Sequence, residues 1–186
     1  MNTPWFLALW LLGAYLVGSL SVGDLVARAM GVSIRAVGTG NPGAANVYRE
    51  VGHVPGVAVL VLDIVKGASA TAPLLLLDVP AWLPWAATAG LLLGHVFPVF
   101  WRFKGGTGMA AAFGSVAGLM PYGLPGGAAV GLLTFALTRN SGYSGAAYFL
   151  GLAISGGLLH RDPVGAVGVL LVAGAIRLRS IIQYRH

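Results

Sequence analysis

Two short stretches of this chain carry residue types suited to work on phosphate: Val37-Gly38-Thr39-Gly40-Asn41-Pro42-Gly43-Ala44-Ala45-Asn46 and Phe103-Lys104-Gly105-Gly106-Thr107-Gly108. Each is set between long apolar runs. Glycines leave backbone N–H groups open to converge on an anion, and a helix that begins just after such a loop adds the positive end of its dipole. Thr39, Gly40, Asn41, Gly43 and Asn46 are the candidate phosphate cradle, and Arg49 and Lys104 are charge clamps. Gly105, Gly106, Thr107 and Gly108 are a second set of residues at which backbone amides approach the ligand. The opposing reading is that glycine only permits tight turns and close helix contact, as it does among the 29 glycines of the whole chain. Either loop taken alone leaves the two readings level.

His95 lies a few residues before Lys104 in a Gly-His-Val-Phe-Pro setting, where a general base would be useful and where a histidine also commonly holds a loop carbonyl. Both roles stay open, with scaffold the commoner one. Asp63 and Lys66 stand three residues apart inside an apolar segment, a depth at which ionisable groups need a partner. An i,i+3 ion pair is the simple reading, and contact of Lys66 with the first loop is the alternative. The chain has no cysteine, and His53, His160 and His186 are scattered without metal-ligand spacing, so neither a metal site nor another cofactor is expected.

These loops need elements to hold them, and the composition says where those elements sit. Hydrophobic residues make up 57% of the 186 and charged residues 9%, with a mean hydropathy of +0.83. A soluble chain has about 25% charged residues, so this one is expected in a bilayer as an all-α, polytopic helical bundle and a single domain over residues 1–186. A net charge of +6 and a pI near 10.2 raise nucleic acid as a partner, but no basic stripe with interleaved aromatics exists, and basic loops at an anionic membrane face explain the charge.

Apolar runs near 4–22, 55–77, 81–100, 108–120, 124–138, 144–160 and 163–178 predict about seven transmembrane helices, with a five-helix count as the alternative. The runs 108–120 and 124–138 are short and suggest a tilted or broken pair around Pro121. Arg28, Arg35, Arg49, Arg102, Lys104, Arg139, Arg177, Arg179 and Arg185 fall on one face of this topology and Arg161 on the other. The positive-inside rule then puts the N-terminus outside, the C-terminus in the cytoplasm and both glycine-rich loops on the cytoplasmic side. Met1-Asn2-Thr3 carries no Lys or Arg before the first run, so that run reads as a retained helix. Gly114/Gly118 and Gly127/Gly131 have small-xxx-small spacing for close helix packing, and Trp5/Trp10 and Trp82/Trp85 suit membrane-interface belts.

The order of the motifs is recognisable. Gly18-Ser19, then Ile34 through Val47, then Asp63-Ile64-Val65-Lys66-Gly67, then Gly94-His95-Val96-Phe97-Pro98-Val99-Phe100 and Phe103 through Gly108, closely resembles the bacterial membrane acyltransferases of the PlsY family. The resemblance runs from about residue 13 to 112 and implies a multi-pass protein of the bacterial inner (plasma) membrane, with its active site facing the cytoplasm. It also implies transfer of a fatty acyl group from acyl phosphate to the 1-hydroxyl of glycerol 3-phosphate, giving lysophosphatidic acid for phospholipid synthesis. It tips the two loops towards phosphate, and Lys104, Asn46 and His95 are the candidate catalytic residues.

The chain departs from that family's pattern at several places. Ala45 stands where a threonine is usual, and Thr107 where the second loop usually has a further lysine. Gly142 and Gly145 take the place of serines, with Ser141 and Ser144 one position away, and Leu178 and Ile181 interrupt a C-terminal polar group. Two functions are therefore weighed: the acyltransferase itself, and a non-catalytic or altered-acceptor relative that keeps the phosphate site. A small transporter is a weaker third, since no inverted halves are visible.

Overall fold

The computed structural model describes residues 3–159, 161 and 163–183. His160, Arg185, His186, Met1 and Asn2, which entered the sequence reading, lie outside the described residues, as does the side chain of Ser141. Every regular element among the described residues is helical. The chain forms two compact units, one ending at Ser115 and the other beginning at Val116.

The first unit contains α1 (Pro4–Gly18), α2 (Val22–Ala29), α3 (Ala44–Glu50), α4 (His53–Thr71), α5 (Leu83–Val96) and the start of α6 (Met109–Leu119). The apolar run expected over 4–22 breaks at Ser19–Ser21, and the chain restarts as α2, whose Val22 and Val26 pack on a small core of Ala27, Ile34, Val47 and Val59. That core lies beneath the first glycine-rich loop.

On α4 the buried residues are Gly56, Val59, Asp63, Lys66, Gly67, Ala70 and Thr71, an i,i+3/i+4 stripe. Val57, Val61 and Val65 point outward and are half exposed. Charged groups inside and valine outside is the reverse of a water-soluble helix and suits a helix surrounded by lipid. Pro4–Ala29, His53–Leu76 and Leu83–Trp101 are long and apolar enough to cross a membrane, and Met109–Leu119 with Pro121–Thr138 makes a fourth span if counted as one broken crossing.

Close helix approach depends on glycine at the α4–α6 crossing. Gly67 lies against the Ala111 carbonyl, and Gly114 against the Ile64 carbonyl. Two hydroxyls lock the same seam: Ser115 Oγ donates to the Gly67 carbonyl at 3.0 Å, and Thr71 Oγ1 to the Ser115 carbonyl at 3.1 Å. Gly114→Val would push backbone from backbone, and a loss of about 1–3 kcal/mol is expected for overpacking. A lowered melting temperature in detergent checks this.

The second unit contains α7 (Leu124–Thr138), α8 (Ser141–Ile154) with a π-helical turn over Ser155–Leu159, and α9 (Pro163–Gln183). Gly127 and Gly131 of α7 receive Tyr148 of α8, so one of the two small-xxx-small pairs makes a helix–helix seam. Asn140 caps α8 by accepting from the Gly142 and Tyr143 N–H groups at 2.9 and 3.2 Å. Ser144 Oγ donates to the Asn140 carbonyl at 2.7 Å. Leu178 and Ile181 are exposed on α9.

Candidate active site

The first loop is held from three sides. Gly38 and Gly40 take positive φ values of 55° and 67°, which a side chain would resist, and they turn the chain back towards α3. Asn46, in the first turn of α3 and 2% exposed, donates from Nδ2 to the Val37 and Ile34 carbonyls at 3.2 and 3.4 Å and accepts at Oδ1 from the Thr39 N–H at 3.0 Å. Both ends of its carboxamide therefore work inside the loop. From the side of α2, Asp24 is buried and forms a bidentate pair with Arg35, Nε to Oδ1 at 2.8 Å, while Ser21 Oγ donates to its Oδ2 at 2.6 Å. Gly23 lets the Pro42 carbonyl lie directly against α2.

This folding changes the expected cradle. Gly40 N–H donates to the Val37 carbonyl, Asn41 N–H to Thr39 Oγ1, and Gly43 N–H to Asn41 Oδ1. In the second loop, Gly105 N–H donates to the Val96 carbonyl and Gly106 N–H to the His95 carbonyl. The glycine-rich amides mostly stabilise the loops themselves. Close by is the first turn of α6, where the earliest helical bond to Gly108 is made by Ala112, so that the N–H groups of Met109, Ala110 and Ala111 precede the ladder.

Asn41 and His95 flank the entry to that helix. A methyl group on Gly106 would lie 2.8 Å from His95 Nε2 and 3.1 Å from Asn41 Oδ1, and one on Gly108 would lie 3.6 Å from the His95 ring. Gly106 thus lets the two side chains close directly on the backbone of the second loop, where any side chain would collide with them, and Thr107 is half-buried beside it.

Behind His95 sits a buried charge cluster. Lys66 Nζ lies 2.9 Å from Asp63 Oδ1, a charge contact that lacks hydrogen-bond alignment, since Oδ1 has no hydrogen-bond partner. The same ammonium donates to the Leu20 carbonyl at 2.9 Å and reaches the Gly18 carbonyl at 3.5 Å, so it satisfies carbonyls at the last residue of α1 and in the break that follows. It also approaches His95 Nδ1 at 3.1 Å. The i,i+3 pair read from the sequence is present, and the backbone contact of Lys66 is with the α1–α2 break, not with the glycine-rich loop.

Of the remaining expected residues, Arg49 is exposed more than a turn along α3, and Thr39 is exposed at the loop tip. Lys104 is exposed and lines a cavity with Arg28, Arg35 and Arg102. Sequence reasoning treated those three arginines only as topology markers. It also missed Asp24, although an acid eleven residues before Arg35 in so acid-poor a chain is a signal for a loop-anchoring pair.

A family model described as "Glycerol-3-phosphate acyltransferase" matches residues 8–186. A protein of that name from Geobacter sulfurreducens is 39% identical over 165 residues, which are 87% of this chain and 81% of the relative. The crystal structure of PlsY (YgiH), described as an integral membrane glycerol 3-phosphate acyltransferase, has in its glycerol 3-phosphate form a TM-score of 0.85 at 30% identity, covering 93% of this chain and 87% of that one. Its lysphosphatidic acid form gives a TM-score of 0.83 at 28% identity, with the same coverage. This chain belongs to the glycerol-3-phosphate acyltransferase family, a family of membrane acyltransferases.

Proposed function

We propose that this chain transfers a fatty acyl group from acyl phosphate to the 1-hydroxyl of glycerol 3-phosphate, giving lysophosphatidic acid and inorganic phosphate. The observation that carries the reading is the convergence of Asn41 and His95 on the backbone of Gly106, just ahead of the N-terminus of α6. Residues 1–186 work as one domain, a view supported by a family match that runs unbroken over residues 8–186. The bundle crosses the bacterial inner membrane seven times, with its N-terminus outside and both glycine-rich loops and its C-terminus in the cytoplasm, where phosphorylated metabolites are found.

Acyl phosphate is a mixed anhydride with a good leaving group, so a positioned alcohol and neutralised phosphates suffice. The 1-hydroxyl oxygen attacks the carbonyl carbon, the bond from that carbon to the phosphate oxygen breaks, and the hydroxyl proton leaves on the phosphate. No covalent enzyme intermediate is needed. The α6 N-terminus and Asn41 hold a phosphate, and Lys104 and Arg49 bring charge to the loops. Thr39, Gly40, Gly43 and Asn46 shape the first loop, and Gly105, Gly106, Thr107 and Gly108 shape the second.

His95 acts as a donor. The ammonium of Lys66 has only donors, so Nδ1 accepts and the neutral ring carries its proton on Nε2, the nitrogen that faces Gly106. That nitrogen gives a hydrogen bond to a phosphate oxygen and is not free to take a proton.

Two measurements test the reading. Offered acyl phosphate and acyl thioester separately, the protein should use only the first; transfer from the thioester alone would overturn the donor assignment. Thr107→Lys restores a second cation to the loop, and a several-fold rise in kcat/KM for glycerol 3-phosphate is expected. An unchanged value would mean that Lys104 and the helix N-terminus already neutralise the phosphate.

A further inference from the structure

The first unit has a second basic feature, which shares only Lys104 with the residues assigned to transfer. A cavity of about 520 Å³ is lined by Leu20, Leu25, Phe100 and Trp101 on its apolar side, and by Arg28, Arg35, Arg102 and Lys104. Arg35 is neutralised by Asp24, but among the described residues no carboxylate pairs with Arg28, Arg102 or Lys104. Arg28 lies over the Trp101 ring at 4.4 Å from its centroid, with Arg35 at 5.6 Å, so the indole holds two guanidinium groups beside one opening.

The backbone supports the same arrangement at a cost. Arg102 and Phe103 are consecutive non-glycine residues with φ of 54° and 59°. A left-handed conformation at such residues is disfavoured, and it persists where the surroundings over-determine it, commonly at binding sites. Here it directs Arg102 to the cavity while Phe103 is left exposed.

We infer that this cavity binds the phosphate headgroup of an anionic bilayer phospholipid, with Leu20, Leu25, Phe100 and Trp101 against its glycerol and upper acyl region. Charge complementarity selects an anion, and the apolar wall selects an amphiphile over free phosphate. Leu25 of α2 and Met30, the residue that follows this helix, are both more than half exposed, and Arg28 lies between them in the chain. Exposed leucine and methionine are unfavourable in water, and arginine is unfavourable in the hydrocarbon, so the mixed face belongs at the headgroup level.

The test is native mass spectrometry of the full chain in detergent with equal phosphatidylglycerol and phosphatidylethanolamine. The unmodified protein should retain phosphatidylglycerol in excess, and the double variant Arg28→Gln/Arg102→Gln should lose roughly tenfold of that excess, while Arg28→Lys/Arg102→Lys keeps it. Inorganic phosphate at millimolar concentration should leave the bound lipid in place. An unchanged lipid ratio in the glutamine variant would overturn the inference, and so would displacement of the lipid by inorganic phosphate. Acyl transfer in neutral-lipid vesicles should be the same for the glutamine variant as for the parent. Its loss would assign Arg28 and Arg102 to the transfer site and overturn the lipid role. Because retention is read without turnover, failure of the transferase reading leaves this result distinguishable.

Discussion

Lys66→Met is expected to destabilise the protein by about 3–5 kcal/mol, the range for breaking a buried ion pair from one side. Lys66 and Asp63 have side chains only 5% and 3% exposed, so the substitution strands a carboxylate with no water to solvate it. It also removes the donor to the Leu20 carbonyl in the break between α1 and α2. Pairing the change with Asp63→Leu removes the stranded charge, and most of the lost stability should return, because a well-packed apolar pair often matches a buried ion pair. Activity should not return with it. Without Lys66 nothing in this cluster holds His95 Nδ1 as an acceptor, so the proton is free to sit on either nitrogen and the donor facing Gly106 is lost part of the time. Melting temperature and kcat measured on the single and double variants separate the two effects. Full activity in a stable double variant would show that the His95 tautomer is immaterial.

Lys104→Ala should lower kcat/KM by about 10²–10³, the effect of deleting one preorganised donor to developing or bound negative charge. Lys104 is exposed, so the variant's melting temperature should stay with the parent's. Asn41→Ala is a useful contrast. Asn41 is 6% exposed and accepts from the Gly43 N–H, so its removal should reduce transfer and also loosen the loop, visible as faster proteolysis near residue 43. Parent-level activity in both variants would displace the site from the two loops.

The membrane class and the helical segments were legible because hydropathy is a property of composition and length. The run 124–138 coincides with α7. The run 4–22 was read through a break, since Ser19–Ser21 sits between apolar residues and nothing local marks that the Gly18 and Leu20 carbonyls are satisfied by a lysine 48 and 46 residues further on. Asp63 and Lys66 were legible as a pair because i,i+3 spacing fixes their proximity on one helix. Their contact with His95 comes from α4 and α5 packing side by side, which no local spacing encodes. The same limit applied to the loops. Glycine-rich strings show that amides are able to converge but not which way they point, and here Asn46 and the His95 and Val96 carbonyls draw several of them inward. The Asp24–Arg35 pair was missed because Arg35 was counted for its charge and not for its fork geometry.

The most direct test of the central claim is a single-turnover-to-steady-state assay of the purified full chain in lipid with palmitoyl phosphate, with and without glycerol 3-phosphate. Inorganic phosphate and lysophosphatidic acid should appear in equal amounts, and only when the acceptor is present. Phosphate release that does not depend on the acceptor, or folded protein that releases none, would contradict direct acyl transfer to glycerol 3-phosphate.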